Sequence, residues 1–573
     1  MFLPTTYEEM QERGWEALDV ILVSGDAYID APQIGIAVIG NVLVDAGFRV
    51  GIIPQPDVGS PADIKALGEP RLFWGISAGS VDSMVANYTA LQKKRRSDDY
   101  TPGGRNTRRP DRATIVYANL IRQYFKNTAP IILGGLEASL RRIAHYDYWK
   151  DAVRRSVLFD AKADLIAYGM SEQTALLIAQ RLAQGSGISG IRGTCEIMTA
   201  SPEGYLVLPS YEQAARDKKS FLEMYDMFYR NTDPITARGL AQQHGDRWLV
   251  QHPPAPYESQ EQLDALHDRG FAWDAHPRHG KEGKIPALDT IRFSVQTHRG
   301  CYGECNFCAI AVHEGRRIRW RSEENIVKEV ESFRDHPRFR GVVPDVGGPT
   351  ANMYGFECEK KINKGVCEDK RCVFPELCRQ LPVDHSRYTR LLRRLRKLPG
   401  IRHIFVASGI RHDMVVNDER CGMRFMEELV AHHVSGQLKL APEHSDPTIL
   451  DLMGKQGTDE LLDFREKFMT LSRRSGKKQF LTYYFIAAYP GSEEKHMHAL
   501  RRFAAQELQI SPEQVQIFTP TPGTWASVMY WTERDPVSGK KLHVEKGLRG
   551  KKQQKDILTD QGHQHGKQGK RSR

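Results

Sequence analysis

Residues 291–310 read IRFSVQTHRGCYGECNFCAI. The first half is β-rich, and the second is a glycine-flanked loop carrying Cys301, Cys305 and Cys308 in the spacing C-x3-C-x2-C. Gly300 and Gly303 let such a loop wrap closely around a bulky ligand. Three thiolates from one loop can hold three irons of a 4Fe-4S cluster and leave the fourth iron open to a cofactor or substrate. Structural zinc is the alternative, and it needs a fourth ligand, for which His298 and His313 are the nearby imidazoles.

Downstream, GVVPDVGGPT (341–350) ends a strand at Gly347 and Gly348. Later strands are expected in HIFVASGIR (403–411), GQLKLAPEH (436–444), QFLTYYFIAAYPG (479–491) and VQIFTPTPGT (515–524). Each runs into polar or turn residues, as the working face of a β/α barrel requires, which makes Ser408, Arg411, Lys439 and Glu443 candidates to line a site. Between the glycine turn and the later strands lies GFECEKKINKGVCEDKRCVFPELC (355–378), with Cys358, Cys367, Cys372 and Cys378. So charged a segment has little apolar surface with which to order itself. A zinc ion or an auxiliary iron-sulfur cluster on these four thiols would supply the missing folding energy, and free or redox-labile thiols are the alternative. Cys195 and Cys421 stand apart, Cys421 as an expected core thiol.

Upstream, DVILVS (19–24), IAVIGNVLVDAGF (36–48) and RVGIIPQPD (49–57) read as strand, helix and strand. The same grammar recurs at RLFWGISAGS (71–80) and APIILGGLEASLRR (129–142), which predicts a doubly wound, Rossmann-like parallel sheet. The GISAGS and LGGLEAS segments fall at strand ends, where open parallel sheets place ligands. The polar run KRRSDDYTPGGRNTRRPDR (94–112) is expected to be a surface excursion, and 251–286 a linker. The domains so drawn are 1–285, 286–532 with a cysteine-rich insertion at 356–380, and a basic disordered tail at 533–573.

The chain has 573 residues, of which 40% are hydrophobic and 27% charged, enough for more than one core. It shows no apolar run of about 18 residues and no basic-then-apolar leader, so a soluble, cytoplasmic protein is expected, with no membrane partner. Nine cysteines, mostly clustered, suit metal rather than a disulfide scaffold. The net charge of +10 is concentrated in the tail, which has no interleaved aromatics to stack on bases. RNA is thus open as a substrate, and an RNA-binding protein with structural metal clusters is the reading from another class.

C-x3-C-x2-C with an aromatic residue, Phe307, before the last cysteine resembles the signature of the radical S-adenosylmethionine (radical SAM) superfamily. LVSGDAYIDAP, WGISAGSVDSMVANYT, ILGGLEASLRR, GGPTANMYG, YFIAAYPG and QIFTPTPGT extend the likeness, and the chain resembles the YgiQ family within it over nearly all but the tail. The resemblance implies an enzyme with a partial β/α barrel, a 4Fe-4S cluster on Cys301, Cys305 and Cys308, and S-adenosylmethionine cleaved with an electron from a reductant such as flavodoxin or ferredoxin. It places Phe307, Gly347 and Gly348 at the cofactor; Pro349 stands where the family more usually has glutamate. The N-terminal region is similar to cobalamin-binding domains, in which a D-x-H-x-x-G loop supplies histidine to cobalt. Here that stretch is Asp30-Ala31-Pro32-Gln33-Ile34-Gly35, and proline has no atom to ligate. Cobalamin bound through histidine is therefore excluded, and a substrate-binding or scaffolding role is expected of this domain.

Overall fold

A computed structural model describes residues 2–559. The N-terminal half is built on a nine-stranded sheet. Strands Val20–Ser24, Val50–Pro54, Phe73–Ser77, Ile131–Gly134 and Leu165–Ala167 are parallel, in the spatial order 50–54, 20–24, 73–77, 131–134, 165–167. That is a doubly wound order whose direction reverses between Val20–Ser24 and Phe73–Ser77. Thr194–Met198, Arg247–Gln251 and Leu240–His244 extend the sheet antiparallel, and Leu206–Leu208 closes it. The strand VILVS is buried along its whole length, as a strand covered on both faces must be.

From Val295 onward, short parallel strands follow one another in an arc. Val295–Gln296 pairs with Val346–Gly347, Val342–Val343 with His403–Ile404, and Gln437–Glu443 with Phe480–Ala487, which pairs with Gln514–Ile517. This is the expected partial β/α barrel, and the strands fall within the segments quoted above except that the last begins one residue earlier, at Gln514. The two halves share their cores: Trp74, Leu133 and Tyr146 of the sheet side belong to one apolar cluster with Tyr489, Phe518 and Met529 of the barrel side.

Three expectations change. The stretch 251–286 does not hang between domains: it forms the helix Gln260–His267 and returns to pair Asp274–Ala275 with Ile29–Asp30, Trp273 being buried. The 94–112 excursion folds back inward, because Arg109 is buried between Asp26 at 2.7 Å and Asp98 at 3.1 Å. The expected disordered tail is ordered as far as Thr559. Leu548–Thr559 is helical and docks with Leu558 1% exposed. Gln554 accepts from Ala488 N, and Lys551 Nζ, buried, donates to the hydroxyls of Tyr148 and Tyr530 at 2.8 Å each. The helix binds through polar groups satisfied one by one, which its composition does not reveal. Residues 560–573 of that tail lie outside the described residues.

Candidate functional site

The cysteine loop is anchored on both flanks. His298–Arg299 pairs antiparallel with Arg319–Trp320, Gly300 N donates to the Glu314 carboxylate at 2.9 Å, and Asn306 bonds Met453 O through its backbone and Leu452 O through its side chain, each at 2.9 Å. Held in this way, Cys301, Cys305 and Cys308 line one cavity of about 170 Å³ at the C-terminal ends of the barrel strands. Phe307, Thr350, Arg411, Glu443 and Lys455 share that wall.

Charge in the cavity is arranged in pairs. The Arg411 guanidinium donates to Asp413 through Nε at 2.8 Å and also through Nη2, while Nη1 lies 3.9 Å from Cys305 Sγ. Burial works to raise the Asp413 carboxyl, but the guanidinium wins and holds it at about 2. Burial raises the Cys301 and Cys308 thiols and the Glu443 carboxyl. Burial also lowers His412 and His444 to about 4, so both imidazoles are neutral at neutral pH. Glu443 takes φ +70° at a bulge in its strand, with Lys455 Nζ 4.0 Å away. A non-glycine residue held there is backbone strain of the kind found at functional sites.

Of the residues singled out from the sequence, Arg411, Glu443 and Phe307 line the cavity with the three cysteines. Ser408 turns away to bond Asp345, and Lys439 is exposed. The glycines Gly347 and Gly348 sit just behind the wall formed by Pro349 and Thr350. A Cβ at Gly347 would stand 2.8 Å from Ser408 Oγ and one at Gly348 would stand 2.6 Å from the His298 ring. Neither His298 nor His313 lines the thiol cavity; His298 bonds Thr297 Oγ1 at 2.8 Å, and His313 faces the N-terminal sheet. Lys455, Asp413, His412 and His444 were not foreseen. Asp413 stands two residues from Arg411, but no spacing marks it, and Lys455 arrives from the turn after a helix.

Cys358, Cys372 and Cys378 pack in a small apolar cluster around Tyr302, with Cys301 at its edge and Cys367 outside. Among the described residues, one set of three metal-ligating atoms lies mutually within 4.8 Å: Asp384, Asp418 and Cys421. Cys421 is thus half-buried beside two carboxylates rather than a core thiol. Neither the loop thiols nor the second cysteine group converges on the scale of a single ion. For the loop thiols, spread around one cavity, that separation suits a larger, multi-iron group.

A second cavity, of about 360 Å³, opens where the sheet order reverses. Ser24, Asp26, Ser77 and Gly79 form its sheet side, Pro32 and Gln33 one rim, and Arg299, His313 and Glu314 its barrel side. Ile310 belongs to the walls of both this crevice and the thiol cavity. An apolar slot of about 150 Å³ continues from it beneath Gly75, Ile132 and Gly135. Among the described residues, no helix is long and apolar enough to cross a membrane.

Comparison with known proteins agrees with this architecture. The family description "Radical SAM N-terminal" matches residues 2–294, and "Radical SAM superfamily" matches residues 295–504. A UPF0313 protein of Fusobacterium nucleatum is 52% identical over 560 residues, covering 98% of this chain and 99% of that one. A UPF0313 protein of Thermotoga maritima is 46% identical over 559 residues, covering 97% and 98%. Among solved structures, the radical S-adenosylmethionine methyltransferase TsrM of Kitasatospora setae, solved with cobalamin and a [4Fe-4S] cluster, is 15% identical. It aligns with a TM-score of 0.50 over 90% of this chain and 78% of its own, a likeness of fold. The chain belongs to the radical SAM superfamily, within it to the UPF0313 (YgiQ) family, and is an enzyme of that class.

Proposed function

We propose that Cys301, Cys305 and Cys308 ligate a 4Fe-4S cluster and that the enzyme abstracts hydrogen from a substrate held between the N-terminal sheet and the barrel mouth. The observation that carries this reading is the meeting of three thiols in one cavity that also holds Arg411, Glu443 and Lys455, with no three ligand atoms there drawn together on the scale of a single ion. When bound, such a cluster supplies the electron that cleaves S-adenosylmethionine to methionine and a 5′-deoxyadenosyl radical. The chain's own work is positioning. Pro349 and Thr350 shape the wall beside the cysteines, Glu443 and Lys455 offer a carboxyl and an amine to the polar groups of the cofactor, and Phe307 and Ile310 exclude water.

The crevice next to Ile310 is where we place the substrate. Its position at the switch point of an open parallel sheet supports ligand binding there. Cobalamin is a second occupant, favoured by the likeness of fold to TsrM; with Pro32 on the rim, that loop gives cobalt no imidazole.

The deciding experiment is anaerobic reconstitution with iron and sulfide, followed by measurement of iron, labile sulfide and dithionite-driven 5′-deoxyadenosine. About four irons per chain with cleavage, both lost in the triple Cys301/Cys305/Cys308→Ala variant, is the expected result. About eight irons would add a cluster on Cys358–Cys378. Zinc without cleavage would overturn the reading. A shift in the visible spectrum of added hydroxocobalamin would assign the crevice to cobalamin.

A further inference from the structure

A buried chain of hydrogen bonds ends on a cluster thiol. Asp418 Oδ2 accepts from His385 Nδ1 at 2.8 Å, and His385 Nε2 faces Asn352 Nδ2 at 3.0 Å. Asn352 clamps the backbone of Arg411 on both sides, Nδ2 donating to Arg411 O at 3.0 Å and Oδ1 accepting from Arg411 N at 2.8 Å. Asp413 takes Nε and Nη2 of the same guanidinium, so Nη1 is left toward Cys305 Sγ. Asp418, His385, Asn352, Arg411 and Asp413 are each at most 8% exposed, and Cys305 is half-buried. Because the Asn352 amide nitrogen can only donate, His385 accepts at Nε2 and donates through Nδ1 to Asp418, so the ring passes on orientation. Gly303 completes the arrangement: a Cβ there would stand 3.4 Å from Arg411 Nη1, 3.2 Å from Cys301 Sγ and 3.5 Å from Cys305 Sγ. The contacts with Nη1 and Cys305 Sγ are ordinary van der Waals distances and the one with Cys301 Sγ is tighter, so a side chain there would press chiefly on Cys301.

So much buried polar structure around one guanidinium calls for a reason, because each buried charge costs several kcal/mol in desolvation unless it is paired, to the order of magnitude that such ions show. Asp413 neutralises Arg411 but does not explain the contact with sulfur. Hydrogen bonds and positive charge at cluster sulfurs govern how readily an iron-sulfur group accepts an electron, since reduction adds one negative charge to the site.

We propose that Arg411, aimed by Asp413 and by the Asp418–His385–Asn352 chain, is a positioning residue that sets the reduction potential of the cluster on Cys301, Cys305 and Cys308, making one-electron reduction easier. The proposal rests on the cluster assignment above. The electron comes from the external reductant, and the added negative charge is met by the Nη1–H···Sγ contact.

The test is an EPR-monitored redox titration of the reconstituted enzyme with dithionite, without S-adenosylmethionine, comparing the unaltered protein with Arg411→Gln and Gly303→Ala. Arg411→Gln removes the charge. Gly303→Ala keeps every functional group but adds a methyl in contact with Nη1 and both sulfurs, pressing hardest on Cys301 Sγ. Both should move the midpoint to more negative potential, cutting the reduced fraction severalfold at a fixed poise, with iron content unchanged, and Arg411→Lys should restore part of the shift. Unchanged midpoints with intact clusters would overturn the proposal. If Arg411→Gln takes up no iron, the Gly303→Ala midpoint decides in the same way. Absence of a cluster from the unaltered protein would overturn the cluster assignment, and this inference with it.

Discussion

Arg299, two residues ahead of Cys301, donates to Glu172 at 2.7 Å from the helix that follows the fifth parallel strand of the N-terminal sheet. The same guanidinium reaches Glu258 at 3.2 Å, and both carboxylates are largely buried. The strand that delivers the first thiol is therefore ion-paired to the rim of the crevice.

Removing one partner of a buried pair leaves the other charge without compensation, which costs about 3–5 kcal/mol. Arg299→Met strands Glu172 and leaves Glu258 with Arg319 alone, at 2.8 Å, and should lower the chemical denaturation free energy by that order. Glu172→Gln should cost less, because Glu258 still holds the guanidinium. Equal losses in the two variants would show that Arg299 is anchored by something other than its charge.

Ile310 is common to the thiol cavity and the crevice. Ile310→Ala joins the two spaces and admits water to the cofactor side. Substrate-free formation of 5′-deoxyadenosine should rise severalfold, read by chromatography after anaerobic incubation with dithionite. No change would mean that other side chains separate the two spaces.

Gly135 opens the helix after Ile131–Gly134 at φ +76°, and a Cβ there would meet Ser77 Oγ at 2.6 Å. Gly135→Ala combines left-handed strain of about 1–2 kcal/mol with this clash. The thermal midpoint should fall, and ligands of the crevice should bind more weakly, whereas Gly187→Ala, in open space, should leave both unchanged.

Lys551 gives stability a pH signature. Burial lowers its pKa from 10.5 to about 8, against the pull of Glu545 and Asp151 and with the push of Lys546. Between pH 8 and 10.5 the unfolded chain binds more protons at this residue than the folded chain, so stability rises with pH across that window and the penalty is complete below it. Lys551→Met should abolish this rise, measured as the difference in urea midpoint between the two proteins at pH 7.5 and pH 10.

Much of the fold was legible because it depends on short-range pattern. Continuous apolar strands such as VILVS, strand-end glycines and the C-x3-C-x2-C spacing are local signals, and each marks the element the structure contains. The reading failed where burial is polar. Arg109, Lys551 and Gln554 look like solvated residues in sequence, yet each is buried by partners dozens to hundreds of positions away. The same limit hid Asp413 and Lys455. A barrel rim gathers side chains from separate strands, so Arg411 and Glu443 came from strand ends by rule while Lys455, lying on a turn beyond a helix, followed no rule. Ser408 and Lys439 show the cost of that rule, since half of a strand's end faces away from the mouth.

The Lys551–Tyr148 contact joins residues 403 positions apart. During synthesis this seam cannot close until Lys551 has left the ribosome, long after the sheet and the cysteine loop have been made. Until then the aromatic surface of Tyr148 and Tyr530 stays uncovered. The helix Leu548–Thr559 thus fastens two rings, one made much earlier and one much later in synthesis, and it can do so only after both the sheet and the barrel strands exist.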